Sequence, residues 1–295
     1  MEKSNKEKIY ISSEEVEGRI PLDDSPTKVY IMNHIIEMTI MERKRKRGCA
    51  IRKIDKDHYV VESTGEIKKF KAKDGNAQKQ VNMNGRFTAL KRLVNQNFVG
   101  NDSELHIVLT YEKEMYDREK ASSDFKAFWK KLKFYNKHLE YIVIYEPTKK
   151  GSWHIHLLVK DIREHRFLYL PKEHLEKIWN KGYVYVSKIW NNDDIGAYFL
   201  ALISRDKENP KSKGKVERLK YYTQSYRLFS RSKGIQAPPC FQMTYAEAQK
   251  LVEGIAPCYE KAYGVYATED DRELNVIYRK NYNKKKTDKN RSKRY

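Results

Sequence analysis

The chain has 295 residues, of which 39% are hydrophobic and 34% are charged, so part of it is expected to lie outside a well-packed core. Lysine and arginine outnumber aspartate and glutamate by 60 to 40, and the formal net charge of +20 favours a polyanionic partner such as nucleic acid. The three widely spaced cysteines exclude a disulfide framework and a zinc finger and fit a reducing cytoplasm, while no stretch is apolar enough for a signal peptide or a membrane span.

Residues 1–98 are predicted to form a basic accessory region. Its first predicted strand is Pro26–Glu37. A dense cationic run follows: Arg43, Lys44, Arg45, Lys46 and Arg47. Such a run is often only a solvated loop, but with this net charge we expect it to contact a phosphate backbone. Residues 60–70 predict a hairpin, and residues 84–97 have the apolar spacing of a helix.

Residues 99–240 are predicted to hold the compact domain. It opens with a strand at Leu105–Tyr111 and a helix capped by Ser122 or Ser123. A hairpin comes next, then a helix that begins after Pro171, and then another strand. The order strand, helix, strand, strand, helix, strand predicts an α+β fold with the ferredoxin-like split β-α-β arrangement, in which an antiparallel sheet of about five strands carries helices on one face.

The hairpin Tyr141–Lys160 is the most distinctive stretch, because two strand-like arms flank the turn composition of residues 147–152. Successive side chains of a strand alternate faces, so His154 and His156 point the same way, and Glu146 ends the first arm across the turn from them. Two imidazoles and a carboxylate suit a divalent ion, Mn²⁺ or less comfortably Mg²⁺, with positions left for substrate oxygens. Two histidines on a half-buried strand are also commonly structural or surface residues, and both readings stay open here.

A helix is predicted after the compact domain's last strand, with Asp193 or Asp194 as its cap. Phe199 and Ile203 belong to its apolar stripe, and Tyr198 lies off the centre of that stripe. Periodicity alone favours a structural role for this tyrosine at the edge of the core.

Residues 241–295 are predicted to be a C-terminal extension. It contains a short helix at Thr244–Glu253 and a strand at Glu273–Tyr278. Its basic tail, from Arg279 onwards, is predicted to be disordered and to act electrostatically.

The motifs together resemble the HUH endonucleases that initiate rolling-circle replication, in particular the replication-associated initiators of small plasmids and filamentous-type phages. The resemblance runs from about Leu105 to Pro239, with weaker similarity at the basic helix of residues 84–97. It is carried by Leu109-Thr110, Glu146, His154-Ile155-His156, Asn192-Asp193-Asp194-Ile195-Gly196-Ala197-Tyr198 and Arg227-Leu228-Phe229-Ser230-Arg231. The histidines precede the tyrosine, as in the replication initiators and unlike the conjugative relaxases.

The resemblance implies an enzyme that nicks and rejoins single-stranded DNA at a replication origin. A divalent ion, Mn²⁺ or Mg²⁺, held by Glu146, His154 and His156 would orient the scissile phosphate. Tyr198 would attack phosphorus and form a 5′-phosphotyrosine, leaving a 3′-hydroxyl that a host polymerase extends. A host helicase is implied as well, because the chain has no nucleotide-binding motif.

One position departs from the family pattern. The family's tyrosine helix usually reads Tyr-x-x-Lys, and Ala201 occupies the lysine position, which leaves Arg205 or Lys188 as the substitute. A second tyrosine is absent from the helix, so a one-tyrosine mechanism or cooperation within a homo-oligomer is implied, with Tyr222 and Tyr226 as backup nucleophiles. The alternatives are a non-catalytic single-stranded DNA-binding replication regulator and a single-tyrosine transposase of the same superfamily.

Overall fold

The computed structural model describes residues 11–43, 51–54, 58–61, 67–69, 75–163, 166–189, 193–204, 221–222, 227–267, 271 and 273–286. Its strands are β1 (Ile11–Val16), β2 (Pro26–Met32), β3 (Ile35–Met41), β4 (Ile51–Lys53), β5 (His58–Val61), β6 (Ile67–Lys69), β7 (Glu104–Leu109), β8 (Leu139–Pro147), β9 (Trp153–Asp161), β10 (Val184–Lys188), β11 (Phe229–Arg231), β12 (Cys240–Thr244), β13 (Tyr259–Ala267) and β14 (Glu273–Asn283). The helices in these ranges are α1 (Gly75–Asn97), α2 (Arg118–Tyr135), α3 (Lys172–Trp179), α4 (Ile195–Ser204) and α5 (Tyr245–Lys250). None of these helices is long and apolar enough to cross a membrane.

The chain divides into two compact units, one made of residues 1–75 and 239–295 and the other of residues 76–238. The predicted division into 1–98, 99–240 and 241–295 differs from this grouping in two respects. Helix α1 lies in the second unit, because its apolar side chains pack on the sheet of that unit. The two ends of the chain, which were predicted as separate extensions, share one sheet.

The first unit contains a six-stranded antiparallel sheet in the order β1-β13-β14-β3-β2-β12 and a three-stranded sheet in the order β4-β5-β6. The segment predicted as one strand, Pro26–Glu37, is a hairpin of β2 and β3 that turns at Asn33, whose φ of 53° suits the left-handed region. The hairpin predicted at residues 60–70 is β5 paired with β6. Helix α5 begins after Thr244, which forms a capping box with Glu247.

The second unit contains a five-stranded antiparallel sheet in the order β10-β7-β9-β8-β11. Four of its strands and two helices follow the chain order β7-α2-β8-β9-α3-β10, so the predicted α+β fold with a ferredoxin-like core is confirmed. The predicted cap of α2 at Ser122 or Ser123 is wrong. The helix begins one turn earlier, because the Asp117 carboxylate accepts hydrogen bonds from the backbone nitrogens of Glu119 and Lys120.

Helices cover both faces of this sheet, whereas the sequence predicted helices on one face. Helices α2 and α3 pack on the face that presents Ile107 and Leu157. Helices α1 and α4 pack on the other face, over Ile142, Ile144 and Leu158. The second face also carries Glu146, His106, His154 and His156, because paired residues of neighbouring strands share a face, and it is called the histidine face below.

Candidate active site

The predicted hairpin is formed by β8 and β9, which pair along their whole length. The register sets Glu146 opposite His154 and Ile144 opposite His156. The intervening Ile155 is fully buried in the core under α2 and α3. Strand alternation therefore puts both histidines and the glutamate on the histidine face, as the sequence predicted.

Glu146 and His156 are in direct contact. The Oε2 atom of Glu146 lies 2.8 Å from Nε2 of His156, and the two side chains are 13% and 12% exposed. Two neighbouring ligands of an octahedral ion stand about 3.0 Å apart when each is ~2.1 Å from the metal. The pair therefore has the spacing of two adjacent metal ligands.

The third predicted ligand is not gathered with the other two. Within the described ranges, no three His, Cys, Asp or Glu side chains are arranged to hold a metal ion as they stand. His154 lies directly across the hairpin from Glu146, on the same face. A side-chain rotation of His154, and no change of backbone, is what would complete the set.

A third histidine, which the sequence analysis did not single out, contacts this pair. The Nε2 atom of His106, on β7, lies 3.3 Å from Nδ1 of His156, and the two rings stack with centroids 5.5 Å apart. Burial, with a smaller effect of His156, lowers the pKa of His106 to about 3. A neutral imidazole has one donor and one acceptor nitrogen, so His106 can fix the ring and the tautomer of His156.

Helix α4 lies over the histidine face. The ring of Phe199 meets His106 edge-on at 5.2 Å between centroids and His156 at 6.4 Å. Phe199 is almost completely buried, whereas Tyr198, one residue before it, is 42% exposed. The helix thus seals the histidine pair with Phe199 and presents the phenol of Tyr198 to solvent beside it.

The start of α4 is fixed by α1. The predicted cap is confirmed for Asp194, whose carboxylate accepts a hydrogen bond from the backbone nitrogen of Ala197. The buried amide of Asn95 bridges the helices, because its Oδ1 accepts from the Gly196 nitrogen at 2.7 Å and its Nδ2 donates to Asp194 at 2.9 Å. The ammonium of Lys91 lies 3.2 Å from the same carboxylate. Position and orientation of the helix that carries the tyrosine are therefore set by side chains of α1.

Lys188 is not brought to the histidines. It follows Ser187, which pairs with His106, so alternation turns Lys188 to the opposite face of the sheet. There its ammonium lies 4.3 Å from the centroid of the Phe167 ring. The predicted assistance of Lys188 at the phosphate is therefore contradicted, and the other candidate, Arg205, lies outside the described residues.

The predicted DNA contacts are only partly covered by the structure. Arg227 and Arg231 are exposed at β11, and the Arg231 guanidinium donates a hydrogen bond to the carbonyl of Ile235. Arg43 is exposed at the end of the described N-terminal range, and residues 44–47 of the same cationic run lie outside it.

The backup nucleophile Tyr222 is tied to the hairpin. Its hydroxyl donates to the carbonyl of Tyr145 at 2.9 Å, and its ring meets Trp153 edge-on at 5.6 Å between centroids. A phenol engaged in this way is a packing residue of β8 and β9. Tyr226 lies outside the described residues.

Residues 104–207 match the model of a protein family described as replication-associated protein, ORF2/gene II protein. The match begins with β7 and extends past α4, so it contains the hairpin, all three histidines of the histidine face and Tyr198. It confirms the family resemblance found in the sequence. No curated protein and no solved structure matches the chain significantly.

Proposed function

Because residues 104–207 match this replication-associated protein family, we propose that the protein initiates rolling-circle replication by nicking and rejoining single-stranded origin DNA. The observation that carries the proposal is the contact of Glu146 with His156 at 2.8 Å beneath the helix that presents Tyr198. A paired carboxylate and imidazole, an exposed phenol and a basic chain are the parts that a metal-assisted phosphoryl transfer requires.

The metal ligands in this proposal are Glu146, His154 and His156. A bound Mn²⁺ or Mg²⁺ supplies Lewis-acid polarisation of a non-bridging phosphate oxygen. His106 holds the ring of His156 in place through the contact between Nε2 and Nδ1, as partners of a metal-bound histidine commonly do. Phe199 excludes water from the buried side of both rings.

Tyr198 is the nucleophile. Its phenol oxygen attacks phosphorus, so the bond from phosphorus to this oxygen forms while the bond to the 3′ oxygen breaks. The phenol proton leaves, and the departing 3′ oxygen takes up a proton. A phenol has a reference pKa of ~10, so cationic surroundings assist its deprotonation. The products are a 5′-phosphotyrosine and a free 3′-hydroxyl.

The covalent intermediate explains the proposed partners. Because the phosphotyrosine conserves the energy of the broken bond, the reverse reaction rejoins the strand without a nucleotide cofactor. The 3′-hydroxyl primes a host DNA polymerase in the cytoplasm, and a host helicase separates the strands. The charge-neutralising role of the family's lysine, absent at Ala201, falls to Arg205.

A second candidate function is a non-catalytic single-stranded DNA-binding regulator that retains the fold. Ala201 in place of lysine favours it, and so does the lack, among the described residues, of a third ligand gathered with Glu146 and His156. The spacing of Glu146 and His156 speaks for catalysis, since a binder has no need of metal ligands.

The test is the formation of a covalent adduct between the protein and single-stranded DNA of its own replicon, seen on a denaturing gel. We expect an adduct with Mn²⁺ or Mg²⁺, no adduct with EDTA, and none with His156→Ala or Glu146→Ala. Tyr222→Phe is the matched control and keeps the adduct. Tight binding without an adduct under every metal condition would reject nicking in favour of the regulator.

A further inference from the structure

Two tyrosines stand out on β10, the edge strand of the second unit's sheet. Tyr183 immediately precedes the strand and is 71% exposed, and Tyr185 within it is 63% exposed. Within the described ranges, neither phenol ring has a hydrogen bond, ion pair or ring contact of its own. Two neighbouring aromatic rings left without partners on an edge are candidates for ligand contact.

Both rings belong to the histidine face. The register pairs Tyr185 with Val108, and Val108 with His156, so the three residues form one row across the sheet. The residue between the tyrosines, Val184, points to the opposite face and is buried under α2 and α3. Alternation therefore turns Tyr183 and Tyr185 to the side on which the candidate metal ligands lie.

The backbone beneath the tyrosines is held firmly. The Tyr183 carbonyl accepts hydrogen bonds from both the nitrogen and the hydroxyl of Thr110, at 2.9 and 3.0 Å. Gly182 adopts a φ of +156°, and a Cβ at this position would collide with the backbone of Thr110 and Glu112. The rings are thus displayed from a fixed strand end, which limits the entropy lost when a ligand binds them.

The spacing suits nucleobases. Adjacent strands lie about 4.8 Å apart, so the backbone of Tyr185 is about 10 Å from that of His156. Residues two apart on a strand are separated by about 6.8 Å, twice the ~3.4 Å step between stacked bases. The pair can therefore hold a base against each ring, or one base between them, next to a phosphate at the histidines.

We propose that Tyr183 and Tyr185 form a base-stacking platform that holds single-stranded DNA beside the scissile phosphate. The identity of that phosphate rests on the proposed function; the affinity of the platform for DNA bases does not. Single-stranded DNA is the occupant because the chain carries a net charge of +20 and because the platform continues directly into the candidate site. A second copy added to the edge of β10 would pair in the plane of the sheet, whereas these rings project out of it.

The test measures base-dependent binding by fluorescence anisotropy in EDTA, where metal-dependent cleavage does not occur. The probes are an oligothymidylate of about 16 nucleotides, the upper end of single-strand site sizes for comparable proteins, and an abasic oligomer of equal length and charge. The variants are the doubles Tyr183→Leu/Tyr185→Leu and Tyr183→Phe/Tyr185→Phe. Tyr169→Leu is the matched control, because Tyr169 is equally exposed at 71% but sits between two leucines that pack under the opposite face.

We expect the leucine double variant to bind oligothymidylate about 25-fold more weakly, from about fivefold per ring at the low end of base stacking. The phenylalanine double variant and Tyr169→Leu should stay within about twofold, since they keep both stacking faces. Abasic binding should be equal for all of them, which also shows that the leucine variant is folded.

An equal loss for the two probes, or no loss, would overturn the platform. A change of molar mass by light scattering in the leucine variant, without a base-dependent loss, would assign the rings to a contact between copies instead. Failure of the wild-type protein to form an adduct with Mn²⁺ would reject nicking but leave the anisotropy result standing.

Discussion

Gly196→Ala should separate the position of the nucleophile from the stability of the fold. A Cβ at Gly196 would lie 2.5 Å from the carbonyl oxygen of Lys91 and 2.7 Å from Oδ1 of Asn95. Ordinary contacts of this kind need about 3.5 Å, so the start of α4 must move by about 1 Å away from α1. Tyr198 follows two residues later and moves with it.

The magnitude follows from two opposing effects on stability and one on rate. Overpacking costs ~1–3 kcal/mol, while replacing glycine by alanine in a helix contributes ~1 kcal/mol of stabilisation. The net destabilisation is therefore at most ~2 kcal/mol in urea unfolding. A displacement of about 1 Å at a reacting group can cost ~100-fold in rate, which the initial rate of adduct formation measures.

Gly85→Ala is the matched control, because a Cβ at Gly85 on exposed α1 meets nothing within 4 Å. It should raise the unfolding free energy by ~0.5–1 kcal/mol and leave the adduct rate unchanged. If Gly196→Ala behaved like Gly85→Ala in both measurements, the inference that α1 positions the tyrosine helix would be refuted.

Three further outcomes are expected. His106→Leu should weaken Mn²⁺ binding by about 10–100-fold in calorimetric titration, as loss of a metal-ligand partner does, and unchanged binding would show that this contact is only packing. Tyr222→Phe should cost ~0.5–1.5 kcal/mol in urea unfolding through the lost hydrogen bond while adduct formation persists. Hydrogen bonding from Arg163 lowers the pKa of the Asp161 carboxyl to about 2, so its stabilising effect is complete above pH ~4 and is lost as the pH falls towards 2. The stability difference between the wild type and Asp161→Asn should shrink over that range, and a difference that does not change with pH would contradict the shift.

Local pattern was enough for much of the second unit. The hairpin, α3, β10 and the cap of α4 at Asp194 follow from alternation, helical spacing and capping residues, all of which act over a few neighbouring positions. The start of α2 was missed although a local signal existed, because Asp117 is as good a capping residue as Ser122 or Ser123.

Contacts that depend on strand register were beyond the sequence. His106 and His156 are 50 positions apart and meet only because β7 pairs with β9 in one register. The same register turns Lys188 away from the histidines. The sheet that joins β1, β2 and β3 to β12, β13 and β14 brings together the two ends of the chain, and no local periodicity reports which distant strands will pair.

The central claim is that Tyr198 becomes covalently linked to DNA. The most direct measurement is mass spectrometry of the trypsin- and nuclease-treated adduct formed with Mn²⁺ on single-stranded DNA from the replicon. The account predicts a nucleotide-sized mass increase on the peptide that contains Tyr198, and no adduct from Tyr198→Phe. A nucleotide on the peptide that contains Tyr222, or an adduct that survives Tyr198→Phe, would contradict it.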